Sequence, residues 1–414
     1  MMSFSEMLTE DKGGKNLHLE HIEDEILNYG VDGGRAALNF LRSLRDMLSG
    51  SARSSLNMTV KWDGAPAIFA GIEPETGDFF VAKKSVFNVN PKLYKTAQEI
   101  DDDLSGALNE KFKVALAEFS KLGIKGVLQG DLMFTSDVET ETIDGDKYYT
   151  FQPNTIVYAV PTDSTLGKTI NKAKVGIVWH TTYTGDTLQG MTASFGADIS
   201  GLNKPSSVWM DDATYKDVSG KATFTTDETE SITAVLSQVG KTFQKINANG
   251  LRKFLTVQNG MTGAIVGASL KTYNNSKVRA GEKISNPAAH AKGYEKWVEM
   301  SIQKQIDKAK SDKGKEKYTA MQKEYMREVR KHTGNLKQII TFQNLLVDAK
   351  MQIVKKLNSV KGLTDTFVKT KDGFKVTNPE GYVAIDRISG GAVKLVDRME
   401  FSYNNFTAIK AWDK

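Results

Sequence analysis

The stretch MTVKWDGAPAIFAG, Met58–Gly71, sets a lysine, a tryptophan, an aspartate and a glycine in a row at the end of an apolar, β-branched run. β-Branched and aromatic residues in short runs favour strands, and glycine and proline punctuate them. SLNMTVKWD and PAIFAGIEPETGDFFVAKKS therefore read as strands, the second folded back on itself at EPETGD. A surface ion pair between Lys61 and Asp63 is the plain explanation of the charges, worth ~0–1 kcal/mol. The chemical explanation is nucleophilic, because a lysine amine attacks once a dry pocket or a neighbouring cation lowers its pKa. Gly64 would then give a bulky ligand room against the backbone.

Outward from this stretch the strand pattern continues through GVLQGDLMF (Gly126–Phe134), TFQPNTIVYAV (Thr150–Val160) and KVGIVWHTTYTG (Lys174–Gly185). Upstream, His18–Gly50 is helical: Ala37, Leu41, Leu44 and Leu48 share one face, and Gly50 stands where a C-terminal cap belongs. This predicts a helical pair. From residue 226 the pattern is helical again, most clearly in the stripe Ile339, Phe342, Leu346, Ala349, Ile353, Leu357. GFKVTNPEGYVAIDRISGGAVKLVDRMEF, Gly373–Phe401, returns to strands with Gly390-Gly391 as a turn. The expected class is α+β: N-terminal helices over 11–52, then an antiparallel β-rich domain over 53–225 and 371–414, interrupted by a basic helical insertion over 226–370.

The composition narrows the chemistry. At 414 residues, 40% hydrophobic and 25% charged, the chain is ordinary globular protein of two or three domain lengths. Zero cysteines exclude disulfides, thiolate metal sites and a cysteine nucleophile. No run approaches the roughly 18 apolar residues of a membrane span, and no secretory signal opens the chain, so an intracellular protein without membrane contact is expected. Residues 301–360 hold 14 Lys+Arg against 6 Asp+Glu, whereas the whole chain is only +5. Such a segment is either a solvated helix face or a surface for phosphates. His18 and His21 in HLEHIEDE stand at i, i+3 beside carboxylates and read as a solvated helix face rather than a metal site. Walker A loops, dinucleotide glycine fingerprints and GxSxG elbows are absent.

The partners that Lys61 needs follow in chain order. KWDG, Lys61–Gly64, resembles the Lys-x-Asp-Gly motif of the covalent nucleotidyltransferase superfamily, which includes ATP-dependent DNA ligases, RNA ligases and messenger-RNA capping enzymes. QGDLMF is similar to that family's third motif, with Asp131 for the usual glutamate, and EGYVAI, Glu380–Ile385, to the fourth motif of phage RNA ligases. GIVWHTTY resembles the strand carrying the aromatic base platform, which points to Trp179 or Tyr183. AVKLVDR supplies Lys394 for the first lysine of the fifth motif, but Val396 stands where the second is usual. Arg398, or Lys84 in VAKKSVFN, is expected to compensate.

The resemblance implies that Lys61 attacks the α-phosphorus of ATP, with Lys394 pulling its pKa down. It further implies that Asp63, Gly64, Lys84, Asp131, Trp179 and Glu380 bind the nucleotide, and that Glu380 and Asp131 hold Mg2+ or Mn2+. The activity implied is polynucleotide ligation through a lysine-adenylate, on RNA ends before DNA ends. Two other readings stand beside it: a catalytically impaired binding protein that grips nucleic acid with its basic helices, and a nucleotidyltransferase that modifies a host protein or RNA.

MMSFSEMLTE, residues 1–10, reads as a detachable tail ahead of polar DKGGK. It also resembles the capsid-targeting segment of proteins packaged in T-even-like phage heads, with Leu8–Glu10 as the prohead-protease site. That implies capsid or prohead partners and a location in the phage virion interior or the host cytoplasm.

Overall fold

The computed structural model describes residues 20–50, 56–215, 223–265, 267–359, 364–370, 373–386 and 392–402. A single 3-10 turn leads into α1 (Glu25–Leu48), which is broken at Gly30, where φ is +64° and ψ −136°. Glycine is the residue that takes this conformation without strain. The expected helical pair is therefore two segments meeting at Gly30. After it come β1 (Leu56–Lys61), β2 (Ala67–Ile72), β3 (Phe79–Ala82), β4 (Leu93–Tyr94), α2 (Ala97–Asp103), α3 (Gly106–Phe119), β5 (Val127–Phe134), β6 (Glu139–Ile143), β7 (Asp146–Phe151), β8 (Ile156–Pro161), α4 (Thr165–Ile170), β9 (Val175–Thr184), β10 (Thr192–Phe195) and β11 (Val208–Asp211).

Five helices follow: α5 (Thr226–Gln244), α6 (Ala248–Ala264), α7 (Leu270–Arg279), α8 (Pro287–Lys308) and α9 (Asp312–Asn358). Their starts are encoded locally. Thr225 and Glu228 form a reciprocal capping box on α5, Asn247, Ser269 and Ser311 cap α6, α7 and α9, and Asn286 with Pro287 opens α8. Then come β12 (Asp365–Thr370), β13 (Gly373–Val376), β14 (Gly381–Asp386) and β15 (Ala392–Leu395), with a single π turn at Arg398–Ser402 after them.

Among the described residues the strands form three sheets, antiparallel except where β11 runs parallel to β9. A seven-stranded sheet has the order β10-β9-β5-β2-β3-β4 with β11 also on β9, a five-stranded sheet the order β13-β12-β8-β7-β6, and a three-stranded sheet the order β1-β14-β15. The class is α+β. β12 pairs with β8, so the helical stretch ends before Asp365 and not at 370. The six stripe residues of α9 are all fully buried. They do not form a module of their own, however. Met58, Tyr382, Ala384, Val393 and Leu395, from one face of the three-stranded sheet, belong to the same apolar core as α1 and α5–α9. No described helix is long and apolar enough to cross a membrane. Residues 1–10 and the Gly390-Gly391 turn lie outside the described residues.

Candidate functional site

Residues 62–66 carry the chain from β1 in the three-stranded sheet to β2 in the seven-stranded sheet, so KWDG is the crossover between them. The third sheet joins at the same point. Asp63 is buried, and its carboxylate accepts hydrogen bonds from Asn154 Nδ2 (2.6 Å), Thr155 N (2.8 Å) and Ile156 N (3.0 Å), the connection between β7 and β8. Asp63 N donates to the Tyr158 hydroxyl (2.7 Å), and Trp62 lies 5.0 Å from the Tyr158 ring. These bonds fix the backbone that carries Lys61. They also engage Asp63 inside the chain. Gly64 is required by packing against β5: a Cβ there would stand 2.5 Å from Cβ of Asp131.

Lys61 ends β1 opposite Gly381, and Val383 lies between Thr59 and Lys394 in the next row of the same face. This face turns away from the helices, and its Val383, Ile385 and Ala392 meet Phe195 of β10. Lys61 Nζ lies 2.5 Å from Glu380 Oε2, with side-chain exposures of 28% and 12%: partly sheltered, yet still reachable from solvent. Asp131, Asp63 and Lys394 are near enough to act on the pair electrostatically. Lys61, Asp131, Glu380 and Lys394 thus converge.

The electrostatics reverse one expectation. Burial pulls the Lys61 ammonium down, but Glu380, Asp131 and Asp63 outweigh it and hold its pKa above the ordinary lysine value. Lys394 is the depressed lysine, through burial and then through the charge of Lys61. Glu380 is pushed up by burial, against the pull of Lys61. As it stands, the constellation keeps Lys61 protonated.

The other expected residues are placed unequally. Trp179 is no base platform: it is fully buried and meets Phe119 of α3 edge-on at 5.3 Å, on the opposite side of the sheet from the cleft. Tyr183 is buried with Phe69 and Phe87 and donates to Gln129 Oε1 (2.8 Å). Arg398 is bound to Glu23 (3.5 Å), Asp24 (3.2 Å) and Asn275, so it is engaged away from any phosphate. Val396 is buried in an apolar cluster with Trp62 and Phe401. Lys84 is exposed and opens a 3-10 turn, Lys84–Phe87, just past the end of β3. His21 is not on a solvated face: burial lowers its pKa well below the ordinary histidine value. His18 lies outside the described residues.

His180 was missed. Gly130 pairs with Trp179 but Gln129 with Thr181, so His180 is the extra residue of a β-bulge. Bulges re-aim side chains beside functional sites. Here His180 Nε2 stands 3.7 Å from Asp131 Oδ1, and Nδ1 stands 2.8 Å from Thr181 Oγ1. The only sequence signal was a histidine amid an apolar strand.

A cavity of about 460 Å³ reaches Glu380 from the helical side, lined by Lys355, Asn358, Asn378, Asp397 and Glu400 among others. Among the described residues no group of three or more Asp, Glu or His is placed to hold a metal ion. Glu380 and Asp131 flanking Lys61 do suit magnesium, which is held by one or two carboxylates together with substrate phosphates.

Comparison with curated proteins and with solved structures finds no match. The profile described as "Family of unknown function (DUF6267)" covers residues 16–410. The chain, with its lysine-centred junction of three sheets, belongs to that family.

Proposed function

We propose that the chain is an ATP-dependent nucleotidyltransferase of the polynucleotide-ligase kind. The observation that carries this is the convergence of Lys61, Asp131, Glu380 and Lys394 around one 2.5 Å ion pair, although Lys61 and Glu380 are 319 positions apart (380 − 61). The pair is reachable from solvent, and its third and fourth charged groups each come from a separate motif.

Lys61 Nζ forms a bond to the α-phosphorus of ATP as the bond to the β-phosphate oxygen breaks, and pyrophosphate leaves. The ammonium must first lose a proton. Magnesium or manganese held by Glu380 and Asp131 would neutralise charge on the triphosphate and ease the departure of pyrophosphate. With those carboxylates engaged, Asp63 is the carboxylate that still favours the ammonium, and the positive charge of Lys394 favours the free amine against it. A 5′-phosphate oxygen then attacks the adenylate phosphorus, the P–N bond breaks, and a 3′-hydroxyl displaces AMP. RNA ends are the proposed acceptor, in a phage head or the host cytoplasm.

The burial of Val396 favours a second reading, a nucleic-acid-binding protein that forms no adenylate. Isotope exchange between pyrophosphate and ATP, with no polynucleotide present, separates the two. The enzyme reading expects magnesium-dependent exchange that disappears in Lys61→Ala; no exchange, or exchange that survives the substitution, leaves the second reading.

A further inference from the structure

We propose that the arm formed by α8 and α9, continued along the solvent face of α9, is a track for the phosphate backbone of double-stranded nucleic acid. The last fully buried residue of α8 is Ile302 and the first buried residue of α9 is Met326; nothing between them is buried. At 1.5 Å per residue, Asp312–Tyr325 makes an arm roughly 21 Å long. Residues 303–325 hold seven lysines against four acidic residues, and none of these lysines is in an ion pair among the described residues. Farther along the same helix three lysines are paired: Lys331 on Glu328, Lys350 on Glu23 and Lys356 on Glu228. Unpaired charge is thus densest on the projecting part and goes on at Arg330, Lys337 and Lys355.

The face continues. Lys323, Arg330 and Lys337 are exposed and spaced by seven residues, which keeps them on one side of a helix. Arg327 and Lys331 flank them, sharing Glu328. At its other end α9 delivers Lys355 and Asn358 to the cavity beside Glu380. Lys317 to Lys355 is 38 residues, about 57 Å along the axis. A duplex advancing roughly 3.4 Å per base pair covers that in about 17 base pairs. A duplex stays straight over this distance, and α9 crosses it without a break. A single strand is gripped by stacking on aromatic rings, and between Gln303 and Lys337 only Tyr318, Tyr325 and His332 offer any, all half-buried, with His332 already against Phe254. The grip itself is independent of the nucleotidyltransferase reading, whereas the meaning of its end at Glu380 rests on it.

The test is fluorescence anisotropy of the full chain with labelled RNA and DNA duplexes of graded length, and with the matching single strands, over a salt series. Affinity should rise with duplex length to about 17 base pairs and then level off. Lys313→Gln/Lys317→Gln/Lys323→Gln should weaken the longest duplex about tenfold and cut the slope of log K against log salt by about three. The tighter of the RNA and DNA arms identifies the natural duplex. Length-independent binding, a triple variant within twofold of wild type, or single strands bound more tightly than duplexes would overturn the track. Adenylation of Lys61 should be unchanged in the triple variant. A chain that shows the length dependence but takes up no adenylate keeps the track and loses the ligase; one that labels without length dependence does the reverse.

Discussion

Two lysines of this chain sit on glutamates under opposite conditions. Lys350 meets both oxygens of Glu23 at 3.0 Å, with exposures of 1% and 3%, and Arg398 and Asp24 complete a sealed, charge-balanced set. Lys61 meets Glu380 in a cleft open enough to expose 28% of the lysine, and there Asp131, Asp63 and Glu380 outnumber Lys61 and Lys394. The sealed set ties Glu23 and Asp24, which lead into α1, to α9 and to the segment after β15. All its charges are spoken for. The open set keeps a carboxylate in excess and a lysine within reach, as a site for phosphates and a divalent cation requires.

The sharpest way to break this contrast is to remove each lysine. Lys350→Ala leaves Glu23 buried without its main partner and should cost about 3–5 kcal/mol in urea unfolding. Lys61→Ala should cost only about 1 kcal/mol, since its pair reaches solvent. Equal losses would make Lys61 a structural residue like Lys350. Next in size is Val396→Lys. The family resemblance alone favours intact or stronger labelling, but Val396 lies in an apolar cluster and against Gly381. A lysine buried there should destabilise the fold by about 2–3 kcal/mol and lower adenylation, measured on the same preparation.

The smallest effect concerns Glu25, a buried carboxyl beside the sealed set. Burial raises its pKa to about 8, with Glu20 adding to the rise. The folded state thus keeps a proton that the unfolded chain releases above about 4.5, and stability falls as pH climbs between the two values. Glu25→Gln should flatten that fall, adding about 1–3 kcal/mol at pH 8 and nothing below pH 4. Unchanged curvature in stability against pH would place the proton elsewhere.

The strands, the capped helices and the α9 stripe were legible because each depends on local periodicity and turn chemistry. The convergence of Lys61, Asp131, Glu380 and Lys394 was legible only through motif order, since no local pattern joins positions so far apart. Trp179 was misplaced because VGIVW is apolar throughout and gives no alternation from which to read strand parity. The bulge at His180 then reverses that parity, so Trp179 and Tyr183 face opposite sides. The sealed set was invisible in sequence, as Glu23, Asp24, Lys350 and Arg398 meet only in three dimensions. The return of β12 was hidden by the short interval that separates it from α9.

The most direct test is to incubate the purified chain with ATP and magnesium, denature it, and map any adduct by peptide mass spectrometry. One AMP per chain is expected, on Lys61, in an acid-labile phosphoamide that Lys61→Arg cannot form because a guanidinium stays protonated. A chain that binds ATP yet carries no adduct from any nucleoside triphosphate, with magnesium or manganese, would contradict it.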